Sequence, residues 1–201
     1  MVRLFVGIEL PDELRRRMAL IQTGVERAKW VAEENIHLTL RFIGEVSGDV
    51  AGDAVEALET IHAPPFPLTV DGAGHFESRK QIRALWLGVE KSNALISLRN
   101  RIESALVRAD LEPEKRKYKP HITIARINNG SPGMARGWLS ANTTFRAVPF
   151  TVANFVLFSS HLGRDKAIYT PEAEFPLSKE SGVGSTVNPV PAESFSSGRL
   201  D

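Results

Sequence analysis

The sequence has 201 residues, 42% hydrophobic and 24% charged, which is ordinary globular usage and enough to bury a sizeable core. It contains no cysteine, which excludes a disulfide framework and a thiolate metal site and fits a reducing cytoplasm. Lys plus Arg number 25 against 24 Asp plus Glu, and a formal net charge of +1 argues against broad wrapping of duplex nucleic acid while allowing a local basic groove on one phosphate.

Residues 2 to 10 read as a buried strand ended by Pro11. The run is short and carries Glu9, so it does not read as a signal peptide. Nowhere does the chain approach the roughly 20 apolar residues of a membrane span. A soluble, unexported protein with no membrane contact is therefore expected. Asp12 and Glu13 suit a helix N-terminus, and Leu14, Met18, Ile21 and Val25 predict a helix to about Lys29.

The segment from Asn35 to Gly44 alternates like a half-buried strand, and Asp49 to Ile61 reads as a helix with Val50, Ala54, Val55 and Leu58 on one face. Prolines 64, 65 and 67 end it. Two strands are predicted over Phe66 to Val70 and Ile82 to Val89, with a Gly-rich connection at Asp71 to Gly74. A helix from Asn93 to Asp110 carries Leu95, Leu98, Ile102, Leu106 and Val107 as its stripe. Then the strand pattern of the first half returns over Pro120 to Ile127, followed by strands over Phe150 to Ser159 and Lys166 to Phe175. Beyond about Lys179 the chain is rich in Ser, Gly and Pro. The expectation is one α+β domain over residues 1–178, with two similar lobes facing each other, and a flexible tail over 179–201.

Two segments share one pattern: His37-Leu38-Thr39-Leu40 and His121-Ile122-Thr123-Ile124. On a strand, residues i and i+2 face the same side, so each segment turns its His and Thr one way and its aliphatics the other. If the lobes are pseudo-symmetric, the two open faces meet and two imidazoles flank one pocket. Such a pocket suits displacement at phosphorus, where one oxygen loses a proton while another gains one. The Thr hydroxyls can donate to non-bridging oxygens.

Arg41 shares the open face by strand parity and offers a bidentate phosphate contact. Arg126 has the wrong parity unless the strand ends or bulges first, and the parity of Phe42 turns it to the core. His62, His75 and His161 read as surface residues, and Trp86 and Trp138 as packing residues. A metal site is the competing functional reading. Each motif supplies one good ligand, however, where zinc needs three or four, so no metal and no cofactor is expected.

At these residues the sequence resembles the two-histidine (2H) phosphoesterase superfamily, in its RNA 2′,3′-cyclic phosphodiesterase branch, historically called 2′-5′ RNA ligase. The resemblance runs from about residue 2 to 178. It rests on Arg3 to Pro11, Asn35 to Val46, Ala84 to Val89, Lys119 to Arg126 and Tyr169-Thr170-Pro171. It implies a bilobal, pseudo-symmetric fold of antiparallel sheets with helices packed outside and the motif strands lining a central cleft. It also implies hydrolysis of a terminal cyclic phosphate to a 2′-phosphomonoester, with weak reversible joining of 2′-5′ linkages. By this resemblance His37 protonates the leaving 3′-oxygen and His121 activates water, while Thr39, Thr123 and Arg126 hold the phosphate. The partners implied are RNA ends or nucleotide cyclic phosphates, with no obligate protein partner.

One departure is visible: many relatives carry an aromatic residue just before the second motif's Pro-His, and here it is Lys119, with Tyr118 one position earlier. The run Glu114-Lys115-Arg116-Lys117-Tyr118-Lys119 reads either as a solvated loop or as a basic lip drawing RNA to the cleft, with Tyr118 as a stacking platform and Phe42 as another. Two rival functions stay open, a phosphodiesterase for 2′-5′ oligonucleotides or other nucleotide phosphodiesters, and a non-catalytic RNA- or nucleotide-binding module. Binding alone does not need two titratable imidazoles, which disfavours the module.

Overall fold

The structure, a computed structural model, describes residues 1–130, 132–163 and 167–178, so the tail expected beyond Lys179 lies outside the described residues. Strand β1 (Val2–Glu9) is buried on both faces from Leu4 to Ile8. Leu4, Val6 and Ile8 enter the main core, while Phe5 joins Val156 and Phe158 in a smaller cluster. Helix α1 (Asp12–Ala19) begins after Pro11, with Asp12 and Glu13 in its first turn.

Helix α1 stops well short of Lys29. Gly24 (φ 75°) and Arg27 (φ 60°) take left-handed backbone, and the chain straightens into β2 (Ala28–Trp30). Val25 and Ile21 still pack on the core, which is why the apolar spacing runs on past the helix end. After β3 (His37–Val46) and α2 (Gly48–Glu59) comes a short β4 (Phe66–Leu68).

The Gly-rich stretch expected as a connection lies inside β5 (Val70–Ser78), where Gly72 (φ 74°) sits at a register shift against β6 (Gln81–Val89). A bulge takes the positive φ that a regular strand would refuse. Helix α3 (Asn93–Arg108) is capped by Ser92, whose hydroxyl accepts the Leu95 N–H at 3.1 Å.

Strand β7 (His121–Gly130) precedes α4 (Arg136–Asn142), a seven-residue helix too short to show a period in sequence. Its anchor is the buried Trp138, whose indole N–H donates to the Ile21 carbonyl at 2.7 Å. The strand expected over Phe150 to Ser159 is two: β8 (Phe150–Val152), which pairs with β4, and β9 (Asn154–Leu162), which joins β1. Finally β10 (Ala167–Pro176) pairs with β9.

Two four-stranded antiparallel sheets result, ordered β10-β9-β1-β3 and β2-β7-β6-β5, with a two-stranded sheet β4-β8 beside them. Helices α2 and α3 pack on each other behind the first sheet, touching β1, β3 and β10, and α4 lies against β5 of the second. The small Ala51 and Ala54 let α2 approach closely, and Leu58, Leu95, Leu98 and Ile102 close the core with no exposure. Each such buried aliphatic contributes roughly 1.5–3 kcal/mol relative to exposure. The α+β architecture of antiparallel sheets expected from sequence is the one formed. Strands β3 and β7 approach each other across the gap between the sheets. Among the described residues no helix is long and apolar enough to cross a membrane.

Candidate active site

Both histidine motifs line one cleft of about 940 Å³, with His37, Thr39, Phe42, Tyr169 and Phe5 from the first sheet and His121, Thr123, Arg126 and Phe76 from the second. Leu38, Leu40, Ile122 and Ile124 are buried, as the alternation requires. Beyond the fourth motif position the alternation reverses. In β3, Val6 pairs with Arg41 and Gly7 with Thr39, so Leu40 is an extra residue, a β-bulge. In β7, Leu85 pairs with Ala125 and Trp86 with Thr123, so Ile124 is the extra residue at the matching place. The Ile124 carbonyl accepts the Val31 N–H at 2.9 Å.

A one-residue bulge puts two consecutive side chains on the same side and flips those that follow. Hence Leu40 and Arg41 are both buried, and so are Ile124 and Ala125, while Phe42 and Arg126 turn to the cleft. Arg126 therefore shares the His–Thr face, through the bulge its parity demanded. The parity readings of Arg41 and Phe42 are reversed. Phe42 is 54% exposed at the cleft and lies 6.1 Å from Phe5, ring to ring. Arg41 is only 6% exposed. Its Nε meets Oε2 of Glu103 at 2.7 Å, and its terminal nitrogens donate to the carbonyls of Phe42 and Glu112. A guanidinium so engaged has little left for a phosphate.

The histidines are held alike. Nδ1 of His37 lies 2.7 Å from the Asn35 carbonyl, and Nδ1 of His121 lies 2.7 Å from the Lys119 carbonyl. A carbonyl only accepts, so Nδ1 carries the proton in both rings and Nε2 is left for substrate. Nε2 of His37 accepts from the Thr39 hydroxyl at 2.9 Å. Nε2 of His121 and the Thr123 hydroxyl have no protein hydrogen bond among the described residues.

Aromatic rings wall both imidazoles. His37 lies 4.7 Å from Phe5 and 5.3 Å from Tyr169, which meets it edge-on, and Phe76 meets His121 edge-on at 4.6 Å. Gly7 makes the fit possible: a Cβ there would come within 3.0 Å of the Leu38 carbonyl and 3.4 Å of the His37 ring. A glycine inside a strand marks such close approaches. Periodicity gives no sign of these walls, because Phe5, Phe76 and Tyr169 come from strands distant in the chain, although Phe5 and Tyr169 fall in segments that carry the family resemblance.

Burial in this apolar setting lowers the pKa of His37 from 6.5 to about 4, with Arg126 and His121 adding repulsion against the partly offsetting Asn35 carbonyl. His121 is lowered as well, first by burial and then by the charges of Lys119 and Arg126. The free cleft thus holds two neutral imidazoles at pH 7.

Tyr118 lines the cleft as a strut. Its hydroxyl donates to the Thr39 carbonyl at 3.3 Å, the Arg99 guanidinium lies 5.5 Å from its ring, and burial raises its pKa. Trp86 is half-buried beneath Lys119, 6.4 Å from His121, and occupies the space over Gly74. His62 and His161 are exposed, and His75 is half-exposed 3.8 Å from Glu77. Among the described residues no three His, Asp or Glu side chains are grouped to hold a metal ion.

Comparison with known proteins adds to this geometry. The family model described as 2′-5′ RNA ligase superfamily matches residues 10–164. An RNA 2′,3′-cyclic phosphodiesterase of Thermotoga maritima is 32% identical over 174 residues, spanning 84% of this chain and 91% of the relative. One from Escherichia coli is 31% identical over 186 residues, spanning 88% and 97%. The crystal structure of E. coli LigT complexed with 3′-AMP superposes with a TM-score of 0.74 at 31% identity, covering 89% of this chain and 99% of that one.

Proposed function

The chain belongs to the 2′-5′ RNA ligase superfamily, and we propose that it opens a terminal 2′,3′-cyclic phosphate on RNA by proton transfer between His37 and His121. The observation that carries the reading is the paired imidazoles in one cleft, each fixed through Nδ1 to a carbonyl two residues upstream, with Nε2 of His121 open and Nε2 of His37 held only by the Thr39 hydroxyl.

In the forward reaction a water oxygen bonds to phosphorus and gives its proton to Nε2 of His121. The bond from phosphorus to the 3′-oxygen breaks, and that oxygen takes a proton from Nε2 of His37, leaving a 2′-phosphomonoester and a free 3′-hydroxyl. The open Nε2 of His121 suits the base, since no group among the described residues competes with water for it. His37 becomes the acid once the anionic phosphate enters and favours imidazolium against the burial that chiefly lowers its pKa and the lesser repulsion of Arg126. A charged His37 no longer accepts from Thr39, whose hydroxyl then turns to the phosphate with Thr123 and Arg126. Run backwards with the roles exchanged, the same site joins a 2′-5′ linkage. Phe42 offers the exposed ring for the terminal base. A sequence without cysteine supports work in the cytoplasm.

Product analysis tests the reading: a short RNA ending in 2′,3′-cyclic phosphate should yield the 2′-phosphate, with turnover unchanged in EDTA. A 3′-phosphate product, or activity lost to chelation and restored by zinc or manganese, would overturn it. The two roles separate with a 3′-thio cyclic phosphate, whose thiolate leaves without a proton. His37→Ala should recover most of its activity on that substrate and His121→Ala should not; equal rescue of both would contradict the assignment.

A further inference from the structure

The cationic side chains lining the cleft divide into two groups. Arg3, Arg41 and Arg99 are ion-paired, to Glu45 at 2.7 Å and to Glu103 at 2.7 and 3.1 Å. Arg116, Lys117, Lys119 and Arg126 have no carboxylate partner among the described residues. The unpaired four lie within one stretch of chain, the segment entering β7 and β7 itself. Paired cations exert little pull at a distance, so the field that draws an anion into the cleft comes from one side only.

Lys119 is the best placed of these. Its ammonium stands 4.2 Å from the Trp86 ring centre and 5.5 Å from that of Phe76, the ring that packs edge-on against His121. Cation–π contact on two rings fixes where the charge sits. Its N–H groups have no hydrogen-bond partner among the described residues. The ammonium also covers aromatic surface on which a base would otherwise stack, leaving the exposed Phe42 across the cleft for the terminal base. In the proposed reaction Arg126 and two Thr hydroxyls hold the reacting phosphate, so the charge at Lys119 remains for a second one.

We propose that Lys119 binds the phosphodiester immediately 5′ of the terminal nucleotide, making the cleft selective for the end of an RNA strand over a free cyclic mononucleotide. Arg116 and Lys117 continue the path outward. The assignment rests on the reading of the cleft as a cyclic phosphodiesterase, but it enters only through a ratio of substrates, so the two fail separately.

The experiment compares adenosine 2′,3′-cyclic phosphate, the adenylyl-adenosine dinucleotide ending in the same group, and that dinucleotide with an uncharged methylphosphonate internal linkage. Wild type, Lys119→Gln and Lys119→Arg are measured at low salt, above the histidine titrations. The Lys119 carbonyl that holds His121 is backbone and survives both substitutions. The dinucleotide-to-mononucleotide ratio of kcat/KM should fall roughly ten- to a hundredfold in Lys119→Gln, the usual worth of one charged hydrogen bond. Methylphosphonate should cause the same fall in wild type and almost none in Lys119→Gln, and Lys119→Arg should keep the ratio. Calorimetric binding of the 2′-phosphorylated mono- and dinucleotide reads the same ratio without turnover. Equal losses on both substrates, or a methylphosphonate effect undiminished in Lys119→Gln, would overturn the assignment.

Discussion

A histidine placed in an aromatic wall is a different acid from one in water. His37, neutral down to about pH 4, resists protonation in the folded state while the unfolded chain takes up the proton near 6.5. The unfolded state then binds more protons between these values, so this group's contribution to stability falls as pH drops from about 6.5 to about 4 and is flat outside that window. The difference integrates to on the order of 3 kcal/mol. Urea unfolding of wild type and His37→Gln should therefore diverge with pH, the variant gaining relative to wild type in acid; a pH-independent difference would contradict it. The kinetics follow from the same shifts. The productive free enzyme carries one proton on the pair, and both sites are lowered, so the bell in kcat/KM should peak on the acid side of 6.5. The kcat profile should lie at higher pH, because the bound phosphate stabilises imidazolium. Coincident profiles centred above pH 7 would contradict this. The sequence carries the identity of these two residues in a doubled His-x-Thr pattern. It carries nothing of the Asn35 and Lys119 carbonyls that set their tautomer, since every residue has a carbonyl.

At the scale of the strand, two matching bulges decide which cation faces the cleft. The one in β7 is legible after the fact. Ile124 and Ala125 are consecutive apolar residues, and Arg126 then stands between Ala125 and Ile127, as if the alternation had restarted one step late. Strand β3 carries no such sign, because the residue that turns inward is an arginine and the one that turns out is a phenylalanine. Tertiary partners explain that inversion: Glu103 of α3 neutralises Arg41 and also holds Arg99, while its other oxygen accepts the Glu114 N–H at 2.8 Å. Arg126→Ala should accordingly lower kcat/KM on the order of a hundredfold, as loss of a charge-stabilising donor does. Arg41→Met should act mainly on stability, and an equal loss of kcat/KM in both variants would return Arg41 to the phosphate. Glu103→Ala leaves two nearly buried guanidiniums without a counter-charge and should cost about 3–5 kcal/mol, read by urea denaturation at pH 7. A change under 1 kcal/mol would show that solvent already screens the group.

At the scale of the molecule, each of the two sheets delivers one imidazole to a shared cleft. The strong periodic elements α2 and α3 and the alternating motif strands are plain in the sequence, whereas β2 is hidden by the continuing spacing of Ile21 and Val25, and α4 by its length. We hold residues 1–178 to be the working domain. Truncation after Lys179 should leave melting temperature and turnover nearly intact, and a large drop in either would show that the tail packs on the domain. The central claim is that the lobes act as one acid–base unit, and a double-mutant cycle in kcat addresses it most directly. His37→Ala and His121→Ala should each cost on the order of a hundred- to ten-thousandfold on an RNA ending in 2′,3′-cyclic phosphate, the usual worth of a positioned acid or base. Because both protons move in one displacement, the double variant should fall far less than the product of the two losses. Losses that simply multiply, or either single variant turning over at close to the wild-type rate, would contradict the account.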